Sequence, residues 1–206
     1  MTTGLGWTLT EVAAATGGRI VGHAETTITR VGTDSRDVAP GSLFVAVAGE
    51  RFDGHDYATA AVAAGAAAAL VQTGRGADVT PRVEVDDPLT ALRDLAARRR
   101  DELTMPVIAI TGSSGKTSTK DLLAAALPNA SASLRSYNNE VGVPLTVLGT
   151  PDDAGYLVIE VGSRGKGHIA WLMPAVRPDV AIVTNLGVVH LETFGTEAIL
   201  ADAKFE

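Results

Sequence analysis

There is no cysteine in this chain. Disulfides and thiolate metal sites are excluded, and a reducing compartment fits. Aromatic residues make up only 4% of the sequence, so its cores are expected from Ala, Val, Leu and Ile. Basic charge is in deficit, with 17 Lys and Arg against 24 Asp and Glu, a net charge of −7. That balance argues against a nucleic-acid binder, which presents a basic face. Long hydrophobic runs are also missing. The longest, "AAVAAGAAAALV" at 60–71, is broken by Gly65 and is too short to span a bilayer. The opening "MTTGLGWTLTEV" has no basic segment followed by an apolar run, so a cytoplasmic location is expected. Against these deficits stands an apolar content of 46% in 206 residues, enough for one large domain or two small ones.

Along the chain, "WTLTEVAAATGG" reads as a short helix. Thr8 and Glu11 have capping-box spacing, and Gly17 and Gly18 supply a stop. "RIVG", "TTITRVG", "AAAALVQ" and "RVEVD" read as strands. "DSRDVAPGSLFVAVAG" is a polar loop, a Pro-Gly turn and a buried strand, and "DGHDYATAAVAAG" is a loop entering an alanine-rich helix. "DPLTALRDLAARRRDEL" is an amphipathic helix with Pro88 in its first turn. Its "RRR" at 98–100 reads either as an anion patch or as basic residues on a last, exposed turn; the second is preferred. "TMP" at 104–106 breaks the pattern, which sets the domains at 1–103 and 104–206.

Beyond that break "VIAIT" is a continuous apolar run, the mark of a strand buried on both faces. "YLVIEVG" and "DVAIVTNLG" repeat it. Helical stretches "GKTSTKDLLAAAL", "GHIAWLMPAV" and "TEAILADAKFE" lie between and after. The fold class is therefore α/β. A small first domain precedes an open, mostly parallel, doubly wound sheet. No internal repeat is evident.

The chemistry starts at "AITGSSGKTSTKDLL", residues 109–123. Gly112, Gly115, Lys116 and Thr117 form the second half of a phosphate-binding loop, whose first glycine is replaced by Ile110. Glycines let backbone N–H groups turn towards phosphate oxygens, and the helix N-terminus adds its dipole. Lys116 reaches outer phosphates, and Thr117 offers a hydroxyl to Mg²⁺. The bland alternative is a turn that merely caps a helix. Glu160 ends the apolar run "YLVI", and His190 follows another strand in "TNLGVVHLETFG". Open α/β sheets bind ligands at that carboxyl edge. Singly, a glutamate at a strand end is a solvated one and a lone histidine a core or surface one; together with the loop, a metal role gains weight.

Five segments in this order carry a family resemblance: "DSRDVAPGSLFVAVAGERFDGHDYATAAVAAGA", "ITGSSGKTSTKDLL", "NNEVGVPLTVL", "IEVGSRGKGHIAWL" and "TNLGVVHLETFGTEAILADAK". The chain resembles the Mur ligases of peptidoglycan synthesis over nearly its whole length. "EVGSRGKG", "HLETFG" and "NNEVGVP" are most similar to the branch that adds D-alanyl-D-alanine to UDP-N-acetylmuramoyl-tripeptide. The sibling branch that adds the third peptide residue is the alternative.

The resemblance implies an ATP-dependent amide ligase with ATP and Mg²⁺ as cofactors. UDP-N-acetylmuramoyl-tripeptide and D-alanyl-D-alanine are the implied partners, with no nucleic acid, no membrane insertion and a monomeric full-length enzyme. It implies an ATP site at Thr111, Gly112, Ser113, Ser114, Gly115, Lys116, Thr117 and Ser118. Lys116, Glu160, His190 and Lys204 would be catalytic. Thr117, Glu160, His190 and Lys204 would hold metal, the lysine after carbamylation by CO₂. A carbamate is an oxygen anion of the kind a hard cation prefers; otherwise Lys204 reads as a solvated helical lysine. The sugar nucleotide would meet Ser35, Arg36, Gly49, Arg51, Phe52, Asp53, Gly54 and His55. An arginine suits its diphosphate, although "DSRDVAPG" also reads as an ordinary turn cluster. Asn138, Asn139, Glu140 and Arg164 would approach the reacting carboxylate, with His168 nearby.

Two residues depart from the family pattern: His168 stands where glutamate is usual, and Phe205 where glycine is usual. Family members are also longer, with a third, Rossmann-like domain. The expectation is a truncated chain with an exposed sheet edge, able to bind the UDP-sugar but not to complete ligation. A non-catalytic UDP-sugar-binding paralogue is a competing reading. A generic P-loop kinase or GTPase explains neither the first domain nor "NNEVGVP".

Overall fold

The computed structural model describes residues 5–49, 52–134, 136–186 and 197–206, with the backbone alone at 197, 198 and 200. It divides into two compact units, Met1–Arg98 and Arg99–Glu206.

The first unit begins with β1 (Trp7–Thr8) and α1 (Leu9–Thr16). Thr8 and Glu11 form the reciprocal capping box, and Gly17 closes the helix at φ 65°. β1 pairs antiparallel with β3 (Thr27–Ile28). The main sheet uses β2 (Arg19–Val21), β4 (Arg30–Gly32), β5 (Ser42–Val45), β6 (Ala68–Gln72) and β7 (Arg82–Val85). Its order is β2-β7-β6-β5-β4, and only the β2–β7 pair is antiparallel. A 3-10 turn at Gly54–Tyr57 leads into α2 (Ala58–Ala63). Ala58 and Ala61 pack among Phe44, Ala46, Ala69 and Val71. With alanine as its contact residue, the helix replaces bulky side chains by close backbone approach, which is how a core poor in aromatics is filled.

α3 (Pro88–Glu102) crosses the division between the units, five residues before the boundary read from "TMP". The arginines at its end correct the expectation of an exposed basic turn. Arg98 donates to Glu11 Oε1 at 2.7 Å and lies 5.0 Å from the Trp7 ring centroid. Arg99 is only 1% exposed and donates to Thr150 O at 2.7 Å and Asp152 Oδ1 at 2.6 Å. Arg100 donates to Leu103 O and Val176 O. Guanidinium forks satisfy several carbonyls at once, so three adjacent arginines serve as fasteners and not as a solvated face.

The second unit holds β8 (Val107–Thr111), β9 (Ala130–Ala132), β10 (Tyr156–Glu160) and β11 (Val180–Val183), all parallel in the order β11-β8-β10-β9. Its helices are α4 (Lys116–Ala126), α5 (Gly142–Leu148), α6 (His168–Val176) and α7 (Glu197–Lys204). β8 and β10 are buried as expected. β11 is not: it pairs with β8 alone among the described residues, and Val180 is 50% exposed. Two elements were not legible in advance. β9 is three small residues, and α5 is seven residues with Pro144 in its first turn. Among the described residues no helix is long and apolar enough to cross a membrane.

Candidate functional site

Every segment singled out for chemistry in the second unit follows the carboxyl end of a parallel strand. β8 runs into the glycine loop. Gly112 sits at φ 139°, and a Cβ there would lie 2.1 Å from Thr184 Oγ1. Only glycine lets the residues after β11 close on this loop. They grip it tightly. Thr184 Oγ1 donates to Ser114 O at 2.6 Å, and Asn185 Nδ2 donates to Ser114 Oγ at 2.7 Å. The Asn185 amide oxygen in turn accepts from Ser114 N at 2.9 Å. Neither Thr184 nor Asn185 was anticipated. Their signal, a polar pair directly after a buried-type strand, is present but weak.

Gly115, at φ 80°, starts α4 with no side-chain cap. The first N–H groups of the helix therefore face outward, with the positive end of the dipole behind them. Lys116 folds back, its Nζ donating to Gly112 O at 2.8 Å. A cavity of about 450 Å³ opens here. Of the residues expected to bind ATP or substrate, Gly112, Ser113, Lys116, Asn138, Asn139 and Arg164 line it, together with His168 and the expected metal-holding Lys204. Gly162 and Ser163 join them unanticipated. Thr111 ends β8, and Ser118 is exposed on α4.

Beside the cavity, Thr117 Oγ1 donates to Glu160 Oε2 at 2.9 Å, and Asn138 Nδ2 donates to Glu160 Oε1 at 2.6 Å. Glu160 is 1% exposed and has no ion pair among the described residues. A buried carboxylate held only by neutral donors is electrostatically unbalanced. Lys116, Arg164 and Lys204 all line the cavity. Burial, then the nearby Lys116 charge, pushes the Lys204 amine below its ordinary pKa. Oxygen donors at Thr117 and Glu160 suit a hard divalent cation, so the residues present fit Mg²⁺. No cluster of three His, Asp or Glu side chains of metal-binding type occurs among the described residues. His190 lies outside the described residues.

The remaining side chains of the "NNE" segment are spent on structure. Asn139 Oδ1 accepts from Gly142 N at 2.8 Å and starts α5. Glu140 Oε1 lies 2.8 Å from His168 Nε2, while His168 Nδ1 accepts from Arg164 N at 2.9 Å.

In the first unit the expected sugar-nucleotide residues follow β4 and β5, again at a carboxyl edge. Arg36 is folded onto Asp34 through Nε at 2.9 Å and Nη2 at 2.7 Å. Those bonds hold the Asp34 carboxyl down at about 2. Ser35 lies between them, half-buried. Asp53 accepts from His55 N at 3.0 Å, His55 Nδ1 at 2.6 Å and Arg75 Nη1 at 2.7 Å. The His55 bonds, first the backbone one, drive its pKa well below the usual carboxylate range. His55 Nε2 accepts from Gln72 N at the end of β6. Asp53 and His55 therefore build the loop. Gly54 belongs to the same construction, since a Cβ there would meet Val47 N at 2.8 Å. Gly49 N donates to Phe52 O, and the Phe52 ring is 70% exposed. Arg51 lies outside the described residues.

Comparison with known proteins agrees across both units. The family model described as "Mur ligase family, catalytic domain" matches residues 27–100, and "Mur ligase middle domain" matches residues 110–206. The UDP-N-acetylmuramoyl-tripeptide–D-alanyl-D-alanine ligase of Escherichia coli K12 is 43% identical over 202 residues, covering 97% of this chain and 44% of that protein. A crystal structure of MurF from Acinetobacter baumannii superposes with a TM-score of 0.88 at 36% identity, covering 96% of this chain and 45% of that one. MurF ligase from Thermotoga maritima in complex with ADP gives 0.77 at 34% identity, covering 85% and 42%. The chain thus spans less than half the length of the relatives it matches. With both units matched in order by models of one family, the chain belongs to the Mur ligase family.

Proposed function

We propose that this chain works in an ATP-dependent amide ligase that joins D-alanyl-D-alanine to UDP-N-acetylmuramoyl-tripeptide in the cytoplasm. The unit at Met1–Arg98 takes the sugar nucleotide, and the unit at Arg99–Glu206 takes ATP. One observation carries the nucleotide half: the Thr117–Glu160 pair stands beside a cavity lined by Lys116, Arg164 and Lys204. The substrate half is supported by similarity to the E. coli ligase.

The chemistry has two steps. A terminal carboxylate oxygen of the tripeptide attacks the γ-phosphorus of ATP, giving an acyl phosphate and ADP. The amine of D-alanyl-D-alanine then adds to the acyl carbon, and the tetrahedral intermediate expels inorganic phosphate as the amide forms. Phosphoryl transfer is catalysed mainly by positioning and charge neutralisation. Lys116 exchanges Gly112 O for a phosphate oxygen. The uncapped first turn of α4 donates to phosphates. Mg²⁺, held by Thr117 and Glu160, would neutralise phosphate charge. Carbamylation of Lys204 converts an amine into an oxygen anion, and a depressed pKa favours the neutral amine that CO₂ requires. Arg164 stays available for the carboxylate or a phosphate.

Calorimetric titration of the chain with UDP-N-acetylmuramoyl-tripeptide tests the substrate assignment, with the dipeptide form as control. Binding that prefers the tripeptide by about tenfold, about 1.4 kcal/mol, is expected. Equal binding of the two forms, or of neither, overturns the assignment.

A further inference from the structure

A second lysine of the glycine-loop helix is buried away from the cavity. Lys120 lies one turn after Lys116 on α4, and its side chain is 4% exposed. It does not line the cavity. Its Nζ donates to Ser133 O at 2.8 Å and pairs with Asp121 Oδ1 at 3.0 Å. Asp121 is largely exposed, so that pair adds little. The bond to Ser133 is the buried one. Ser133 follows β9 and is fastened to β10 twice. Its N donates to Val158 O at 3.1 Å, and its Oγ accepts from Glu160 N at 3.2 Å.

Two rungs therefore connect α4 to the single residue Glu160. The upper rung is Thr117 Oγ1 to the carboxylate. The lower runs from Lys120 through Ser133 to the Glu160 backbone. We propose that Lys120 is a positioning residue that sets the Glu160 carboxylate against Thr117 by holding Ser133. This rests on the reading of that pair as the Mg²⁺-nucleotide site. Burying an ammonium is costly, and an apolar residue would fill the same space more cheaply. A long, donor-tipped side chain is what can reach from α4 to a carbonyl beyond β9. Partners that orient metal ligands from outside typically govern metal affinity.

The test is calorimetric titration of the 206-residue chain with ADP, with and without Mg²⁺, in wild type, K120M and S133A, alongside thermal melts. K120M is expected to reduce the Mg²⁺-dependent gain in ADP affinity by about tenfold or more. S133A, which keeps the Lys120–carbonyl bond, is expected to lose a smaller part of the same gain. Metal-free ADP affinity stays level in both. Equal losses with and without Mg²⁺, or no loss, would overturn the proposal and leave Lys120 a core residue. If K120M does not fold, S133A decides alone: a Mg²⁺-specific loss supports the relay, and none overturns it. A wild-type chain without any Mg²⁺-dependent ADP binding overturns the site reading, and the relay with it.

Discussion

The carboxyl edges of the two sheets carry acids and bases in similar density but balance them differently. In the first unit two acids near the expected sugar-nucleotide residues already hold an arginine. Asp34 holds Arg36, and Asp53 holds both His55 and Arg75. In the second unit Glu160 has no ion pair among the described residues. Glu160 is buried with neutral donors, while Lys116 and Lys204 line a cavity in which Lys116 bonds only a carbonyl. A balanced cluster is scaffolding, because its charges are satisfied before any ligand arrives. An unbalanced one stores electrostatic free energy that a ligand of the right charge releases. On the proposed reading, the first loop would recruit its ligand with what the cluster leaves over, the exposed Phe52 ring and an Arg36 released from Asp34. On the same reading, the second would take a metal–polyphosphate.

The sharpest way to break this contrast is Glu160→Gln. If the carboxylate is unbalanced, removing its charge leaves the unliganded chain at least as stable as wild type. Mg²⁺-dependent ADP affinity falls by about 100-fold, about 2.7 kcal/mol. Melting curves and calorimetry read the two effects separately. A marked loss of stability without ligand would mean that Glu160 is balanced within the fold after all, and the contrast would collapse.

How much of this was legible from the sequence follows the same division. Gly112, Gly115, Lys116 and Thr117 are neighbours along the chain and need no tertiary information to be read as one loop. Glu160 is legible as a strand-end residue because a continuous apolar run implies a buried strand, and it does end β10. Thr184, Asn185, Ser133 and Lys120 were missed. Their contacts join segments far apart in the chain, and threonine, asparagine and serine carry no chemical signature alone. Asp53 and His55 show a different case. Their residue types suggest ligands, yet three hydrogen bonds to Asp53 and one to His55 Nε2 consume them. Arg99 is a third case, since a charged triplet at a helix end gives no hint that its middle member is buried.

A smaller effect is expected from Asp53→Asn, which tests the balanced side. The change breaks the Arg75 ion pair and weakens the His55 bond, so melting falls by about 2–4 °C near neutral pH. The pH dependence carries the diagnosis. The folded-state pKa of Asp53 lies below its unfolded value. Its stabilisation is therefore complete above the unfolded pKa and disappears as pH falls towards the folded one. Wild type should lose more stability than the variant between about pH 5 and pH 3. Parallel losses would mean that Asp53 is not the acid that holds the loop.

The smallest expected effect lies in the second unit, at Lys204. Its amine is pushed below the ordinary lysine value by burial and by Lys116. Between the depressed folded pKa and the unfolded one the unfolded chain binds more protons, so stability rises with pH. Lys204→Met keeps the length of the side chain and removes that term. In CO₂-free buffer the variant should melt higher than wild type at neutral pH, by about 1–2 °C. The advantage should shrink as pH approaches about 10, where the wild-type amine is discharged in the fold. Any stabilisation by added bicarbonate that depends on this position should then appear in wild type alone, because only wild type has an amine there. If the variant melts lower at neutral pH without CO₂, Lys204 is held by compensating partners, and the cavity's positive side is balanced in the way the first loop is.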